Sequence, residues 1–286
     1  MLIALGVAAA AAASILFNLG IVLQALEARR EPPELQLTVR LVLVLLRRWR
    51  WTLGLLLGLA GVGPQVLALQ AAPFVVVQPV LSVGLLLVLA AGVRAFDERV
   101  GAREWLSVIA IVGGVALVAF GAPPHTETHR GGIDVLAVVA LPTAVALVPF
   151  ACRGTRLDTG TLTMVASGAG FAATNIATKL LSDDAGLGHY WNALAWAVVA
   201  FLLGVAATIT GMTAFQRSRA TVVVPVTTAV QTFLPIVLEP FFLREHWSSA
   251  PLHGGVLGIG LAVACVGTIV VARTPGVSRM VAAAQR

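Results

Sequence analysis

A chain of 286 residues that is 58% hydrophobic and 11% charged, with a mean hydropathy of +0.94, is not a soluble globular domain, since such domains carry about 25% charged residues. Its apolar residues come in runs of about 20, the length a helix needs to cross hydrocarbon, and the same numbers exclude disorder and a disulfide scaffold. The net charge of +6 does not mark a nucleic-acid partner: Lys179 is the one lysine, and the arginines sit in short turns between apolar runs rather than in a stripe for phosphates.

In chain order the pattern predicts nine spans: Leu2–Leu26, Trp51–Ala71, Pro73–Val93, Trp105–Ala122, Ile133–Cys152, Leu162–Leu181, Trp191–Phe215, Ala220–Leu243 and Gly254–Ala272. Trp51, Trp105 and Trp191 mark span ends, where indole rings favour the headgroup region. The first span opens on an Ala-rich run, Ala8–Ala13, with no basic residue before it, and reads as a retained helix rather than a cleaved signal. After it, Leu35–Leu46 is apolar but short, is interrupted by Arg40 and runs into Arg47, Arg48 and Arg50. This segment, within 35–50, is expected to lie as an amphipathic helix on the cytoplasmic face; as a short span it would raise the count to ten. The two cysteines, Cys152 and Cys265, read as small packing residues.

If nine spans alternate, sixteen arginines fall on one side and only Arg130 and Arg244 on the other. The positive-inside rule then puts the C-terminus in the cytoplasm and the N-terminus outside. The near absence of lysine hints at a GC-rich bacterial source, and the expected location is a bacterial inner membrane.

The sequence also resembles itself. Ala72-Pro73-Phe74-Val75-Val76-Val77-Gln78-Pro79-Val80 returns as Arg219-Ala220-Thr221-Val222-Val223-Val224-Pro225-Val226, each copy opening a span. Each of these spans ends in a charged turn, Asp97-Glu98-Arg99 or Arg244-Glu245-His246, that leads into a span containing Gly113-Gly114 or Gly267. Phe17-Asn18 echoes Thr174-Asn175 less closely. The expected organisation is a first repeat over 1–123, a connector helix over 131–152, a second repeat over 157–275 and a tail over 276–286. The single connector inverts the second repeat, an architecture on which alternating access is built.

No machinery for catalysis is visible. The chain has no phosphate-binding loop, His-Glu-x-x-His, Gly-x-Ser-x-Gly or Cys-x-x-Cys, and its five histidines fall in predicted turns, so neither an enzyme, a cofactor nor a metal site is expected. The intramembrane polar residues carry the functional reading. Asn18, Gln65, Gln78, Asn175, Thr228 and Gln231 are costly in hydrocarbon unless they face one another or a cavity; interhelical bonding is the alternative. Pro79 and Pro225 occupy matching places and suggest a shared hinge, with packing kinks as the alternative. Lys179 either snorkels outward to pair with Asp183 or faces an outer vestibule, and Glu239 is a candidate coupling carboxylate. Gly54-x-x-x-Gly58 and Gly254-x-x-x-Gly258 permit close packing within the bundle, or a homodimer.

With these residues in view, Trp51–Pro123 resembles the drug/metabolite transporter superfamily (EamA-like), and within it the NIPA-type branch. The similarity lies in Trp49–Trp51, Ala71–Pro79, Glu98-Arg99, Gly113-Gly114 and Ala122-Pro123, and in the second half in Asn175–Lys179, Ala220–Pro225 and Glu245-His246-Trp247. The resemblance implies a secondary transporter with a central cavity between inverted repeats, and its NIPA-type branch implies magnesium as cargo. The absence of a mid-membrane carboxylate and the presence of Lys179 favour a small organic solute over a bare cation. The expected partners are thus a small-molecule or ion substrate and membrane lipid, with no nucleic acid. A non-transporting scaffold or subunit is the reading of a different class.

Overall fold

The structure is a computed structural model that describes residues 2–72, 74–95, 101–121, 133–155, 157–242 and 255–272. Among the described residues it is all helix: α1 (Leu2–Ala28), a 3-10 turn (Pro33–Leu35), α2 (Val39–Leu45), α3 (Trp49–Ala71), α4 (Phe74–Ala95), α5 (Ala102–Gly121), α6 (Ile133–Ala151), α7 (Gly160–Gly186), α8 (Tyr190–Arg217), α9 (Ala220–Phe242) and α10 (Gly255–Ala272). Each expected span is occupied by one helix; the largest difference is at α7, which continues past Leu181 to Gly186. Uncharged runs of Ala, Leu and Val favour helix, because without water most backbone groups must be bonded within their own helix, and α3 and α6 continue through Pro64, Pro142 and Pro149. The turns after α6 and α7 each use a left-handed glycine, Gly154 and Gly188. After α7, Gly188 takes φ +77°, and the His189 N–H returns to the Asp184 carbonyl at 2.8 Å; a Cβ would oppose that conformation.

Among the described residues, four helical stretches, Ala4–Ala28, Trp49–Ala68, Ala102–Gly121 and Tyr190–Arg217, are long and apolar enough to cross a membrane. Shorter apolar stretches lie at Val80–Ala91, Leu136–Ala151, Ala220–Pro235 and Gly255–Val271. Large side chains such as Leu59, Leu67, Phe120, Phe201 and Ile259 are well exposed on several helices, an apolar girdle that suits lipid and not water. The chain is a helical membrane protein. At seven residues, α2 is about 10 Å long and too short to span hydrocarbon.

Small residues set which helices touch. α1 and α3 pack antiparallel: a Cβ on Gly20 would stand 2.5 Å from the Gly54 carbonyl oxygen, and one on Gly6 would stand 2.5 Å from the Ala72 Cβ. α7 and α8 pair the same way, with Gly170 on Ala207 and Gly160 on Ser218. α5 and α10 form a third antiparallel pair, Gly114 against Gly260 and Ala264, and Gly121 against Leu257. α1 also lies parallel to α4, through Ser14–Leu81 and Asn18–Gly84, and α7 parallel to α9, through Met164–Thr227 and Gly168–Val230. α6 packs mainly on α7. Of the anticipated Gly-x-x-x-Gly pairs, Gly54 packs tightly, Gly58 and Gly258 face open space, and Gly254 lies outside the described residues.

Among the described residues the buried core falls into one large cluster and two small ones. The large one joins the C-terminal half of α1 (Val22, Ala25), α2 (Leu41, Leu45), the end of α4 (Val88, Leu89), α5 from Val108 to Val118, the end of α8 (Phe215) and α9 from Val222 to Phe233. The two small clusters are separate from it. Ala10, Ala68, Ala72 and Val77 join α1, α3 and α4, whereas Val139, Ala173, Leu180 and Leu203 join α6, α7 and α8.

Two expectations need correction here. Trp51 stands near the start of α3, but its ring does not face the headgroup region: it is 2% exposed and donates its indole N–H to the Met212 sulfur at 3.3 Å, while Trp49, two residues earlier, takes the exposed position. Cys265 is exposed on α10 instead of packed inside, and Cys152 is half-buried.

Candidate functional site

Two polar regions stand out, one along the middle of the bundle and one at its Arg-rich end. In the middle, Asn18 is 7% exposed and donates its amide to the Ser14 carbonyl of its own helix at 2.7 Å. Ser14 Oγ in turn donates to the Leu81 carbonyl on α4 at 2.7 Å. The absence of a side chain at Gly84 makes this approach possible, because a Cβ there would collide with Asn18 Nδ2 and Ser14 Oγ. Ser82, next to Leu81, is also buried.

The other candidates have different surroundings. Gln65, Thr228 and Gln231 are half-buried, and Asn175 and Thr178 are exposed. No hydrogen bond joins any two of Asn18, Gln65, Asn175, Thr228 and Gln231, so they are not interhelical glue for one another. Asn18 and Asn175, paired by sequence echo, differ in burial. α4 and α9 stay helical through Pro79 and Pro225, each the sixth residue of its helix. Neither helix is unwound there, although each proline deprives its helix of one backbone donor. The side chains of Gln78, Pro79, Lys179 and Glu239 lie outside the described ones, as do His125, His129, His246 and His253. His189 is exposed, with Nδ1 3.5 Å from Asp184.

The Arg-rich end is tied together by charge. Arg219, at the start of α9, places Nη2 3.2 Å from Glu104 Oε1 at the start of α5, with both side chains nine-tenths or more buried. Glu104 Oε2 also accepts the Gly101 N–H at 2.9 Å. Arg29, at the end of α1, donates to the Phe215 and Ser218 carbonyls at 3.2 and 3.1 Å, which are free to accept because a helix leaves its last carbonyls unbonded. Gln216 donates to the Glu31 carbonyl at 3.2 Å, and its own Oε1 is buried with no hydrogen-bond partner. Arg48 holds Glu31 at 2.8 Å and Arg30 holds Glu27 at 2.7 Å.

The segment between α1 and α3 is strapped across this end. Its Leu37 takes the left-handed φ of 54° and gives its N–H to Thr213 Oγ1 at 3.0 Å. Arg217 bonds Gln36 at 2.8 Å and makes a close ion pair with Asp158 before α7. Burial works to raise the Asp158 carboxyl, but the Arg217 hydrogen bond, the Gly154 amide and the charges of Arg217 and Arg153 outweigh it and hold the group below its ordinary value.

Sequence reasoning placed these arginines on one side but read them as topology signals. It missed Glu27, Glu31, Glu104 and Asp158 as their partners. The available signal was that these four acids fall in the same set of turns as the sixteen arginines. Among the described residues, no three His, Cys, Asp or Glu side chains come together as a metal site. Compared with protein-family models, curated proteins and solved structures, the chain matches none of them.

Proposed function

We propose that the protein is a secondary transporter of the drug/metabolite type, moving a small organic solute across a bacterial inner membrane by alternating access. In this reading the chain has nine membrane helices, its C-terminus in the cytoplasm and its N-terminus outside. Two inverted repeats, α1 with α3–α5 and α7–α10, are joined by α6. The matched packing supports the repeats: α1 lies on α3 and α4 as α7 lies on α8 and α9. In addition, Gly6 packs on Ala72 and Gly160 on Ser218, each the residue that ends the second helix of its repeat.

The observation that carries the proposal is this matched packing, because two equivalent halves of opposite orientation can exchange roles in a rocking cycle. In one state of that cycle Glu104–Arg219 and the Arg29 contacts form the closed cytoplasmic gate. Asn175, Thr228 and Gln231, with Gln65, line the path open to the other side, and Lys179 stands near its mouth. The prolines at 79 and 225 serve as hinges, with Glu239 as a coupling group.

An organic solute is favoured over Mg²⁺ because the described buried carboxylates, Glu27, Glu31 and Glu104, are each held by arginine and so are poor ligands for a passing cation. Proteoliposomes test this with ethidium and radiolabelled amino acids in one arm and Mg²⁺ with an entrapped indicator in the other. Saturable uptake of an organic probe, reduced by Gln231→Ala or Lys179→Ala, is the expected result. Mg²⁺ flux altered by the same variants instead establishes the NIPA-like reading. Folded protein that moves neither class of probe leaves the non-transporting scaffold.

A further inference from the structure

We propose that α2 and the turn after it form a binding site for the headgroup of an anionic phospholipid. At 100° per residue, Val39, Leu43 and Leu46 share one face of this short helix, and they are 59%, 57% and 45% exposed. Leu41 and Leu45 point the opposite way and are fully buried against the bundle. Arg40 lies on the flank between these faces, Arg47 follows in the turn after the helix, and both are exposed. Trp49 follows, 69% exposed, with the Arg50 guanidinium 5.5 Å from its ring centroid.

This is the layout of a helix lying in the membrane plane, apolar face toward the acyl chains, indole and arginines at headgroup level. Charge selects the occupant. Most of the neighbouring arginines are engaged inside the protein: Arg29 by carbonyls, Arg30 and Arg48 by Glu27 and Glu31. Arg50 stands 4.0 Å from Glu27. Arg40 and Arg47 have no acidic partner among the described residues. Two uncompensated guanidiniums beside an exposed apolar face fit a lipid phosphate carrying net negative charge, with guanidinium forks matching its oxygens. The site requires the chain to sit in a bilayer but does not depend on what, if anything, it transports.

Native mass spectrometry of the full chain in detergent tests the site, with separate titrations of dioleoylphosphatidylglycerol, dioleoylphosphatidylcholine and inorganic phosphate. The anionic lipid is expected to bind more tightly than the zwitterionic one. R40Q and R47Q should each weaken it about fivefold and leave phosphatidylcholine unchanged. R153Q, an exposed arginine in the turn after α6, should have no effect. Equal binding of the two lipids, a preference that survives the R40Q/R47Q double variant, or an equal loss from R153Q would each overturn the proposal. Phosphate competing at the lipid's own concentration would assign the site to free anion and also overturn it.

Discussion

At the scale of single residues, burial decides which ion pairs matter. Glu104 and Arg219 are both largely withdrawn from solvent, so replacing the carboxylate leaves a guanidinium with little solvation. Removing one member of such a pair costs about 3–5 kcal/mol. Arg30, whose side chain is 57% exposed, meets the buried Glu27 at a shorter distance, yet it keeps its water when Glu27 is replaced, so that loss costs less. Glu104→Leu is therefore expected to lower the thermal midpoint of the detergent-solubilised protein by several degrees, and Glu27→Leu, which leaves a hydrated Arg30, to lower it less. Equal effects in a tryptophan-fluorescence melt would mean that separation, not desolvation, sets their worth. The partnership itself was not legible in the sequence, because Glu104 and Arg219 lie 115 residues apart and each looks locally like a turn charge. Trp49 and Trp51 make the same point within one helix. Two residues turn the helix by about 200°, so one indole meets Met212 and the other faces outward, and a helix apolar on nearly all sides does not announce which.

Helices as elements were legible because charged turns bound uncharged runs of membrane length. Their pairing was not, since apolar side chains gain little from leaving lipid for one another and helices apolar on most faces carry a weak directional signal. Glycine placement supplies what hydrophobicity does not. Along α5, Gly114 and Gly121 meet α10 while the adjacent Gly113 has open space around it, although Gly113-Gly114 reads in sequence as one motif. A Cβ on Gly114 would stand 2.7 Å from both the Ala264 nitrogen and the Gly260 carbonyl oxygen, and backbone atoms cannot rotate aside as a side chain can. Gly114→Ala is thus expected to force α5 from α10 and destabilise by about 1–3 kcal/mol. Gly113→Ala should be neutral or slightly stabilising through helix propensity. Parallel melts of the two variants check this, and a neutral Gly114→Ala would show that the α5–α10 seam can shift without loss.

For the whole molecule, the arginine split concentrates charge at one end of the bundle, and the structure brings the ends of α1 and α8 and the starts of α3, α5 and α9 together there. What the sequence could not convey is which side chains meet inside: among the described residues the large buried cluster draws members from every helix except α6, Trp51 and Phe215 among them. The proposed cycle also makes a prediction about water. Asn175, on α7 beyond the fully buried stretch Ala172–Ala173, is exposed, whereas Val223 in the second turn of α9 is 1% exposed. If the exposed face at Asn175 borders an aqueous path, a cysteine there ionises and reacts with a charged, membrane-impermeant methanethiosulfonate. If it borders lipid, the thiol stays protonated and out of the reagent's reach. In a C152S/C265A background in sealed vesicles, N175C is expected to label from the side opposite the Arg-rich end, and V223C to resist labelling from either side. Substrate that drives the bundle to its other state should slow the first and expose the second. An N175C thiol that reacts only with a lipid-soluble maleimide would place this face against the bilayer and remove the open path from the proposed cycle.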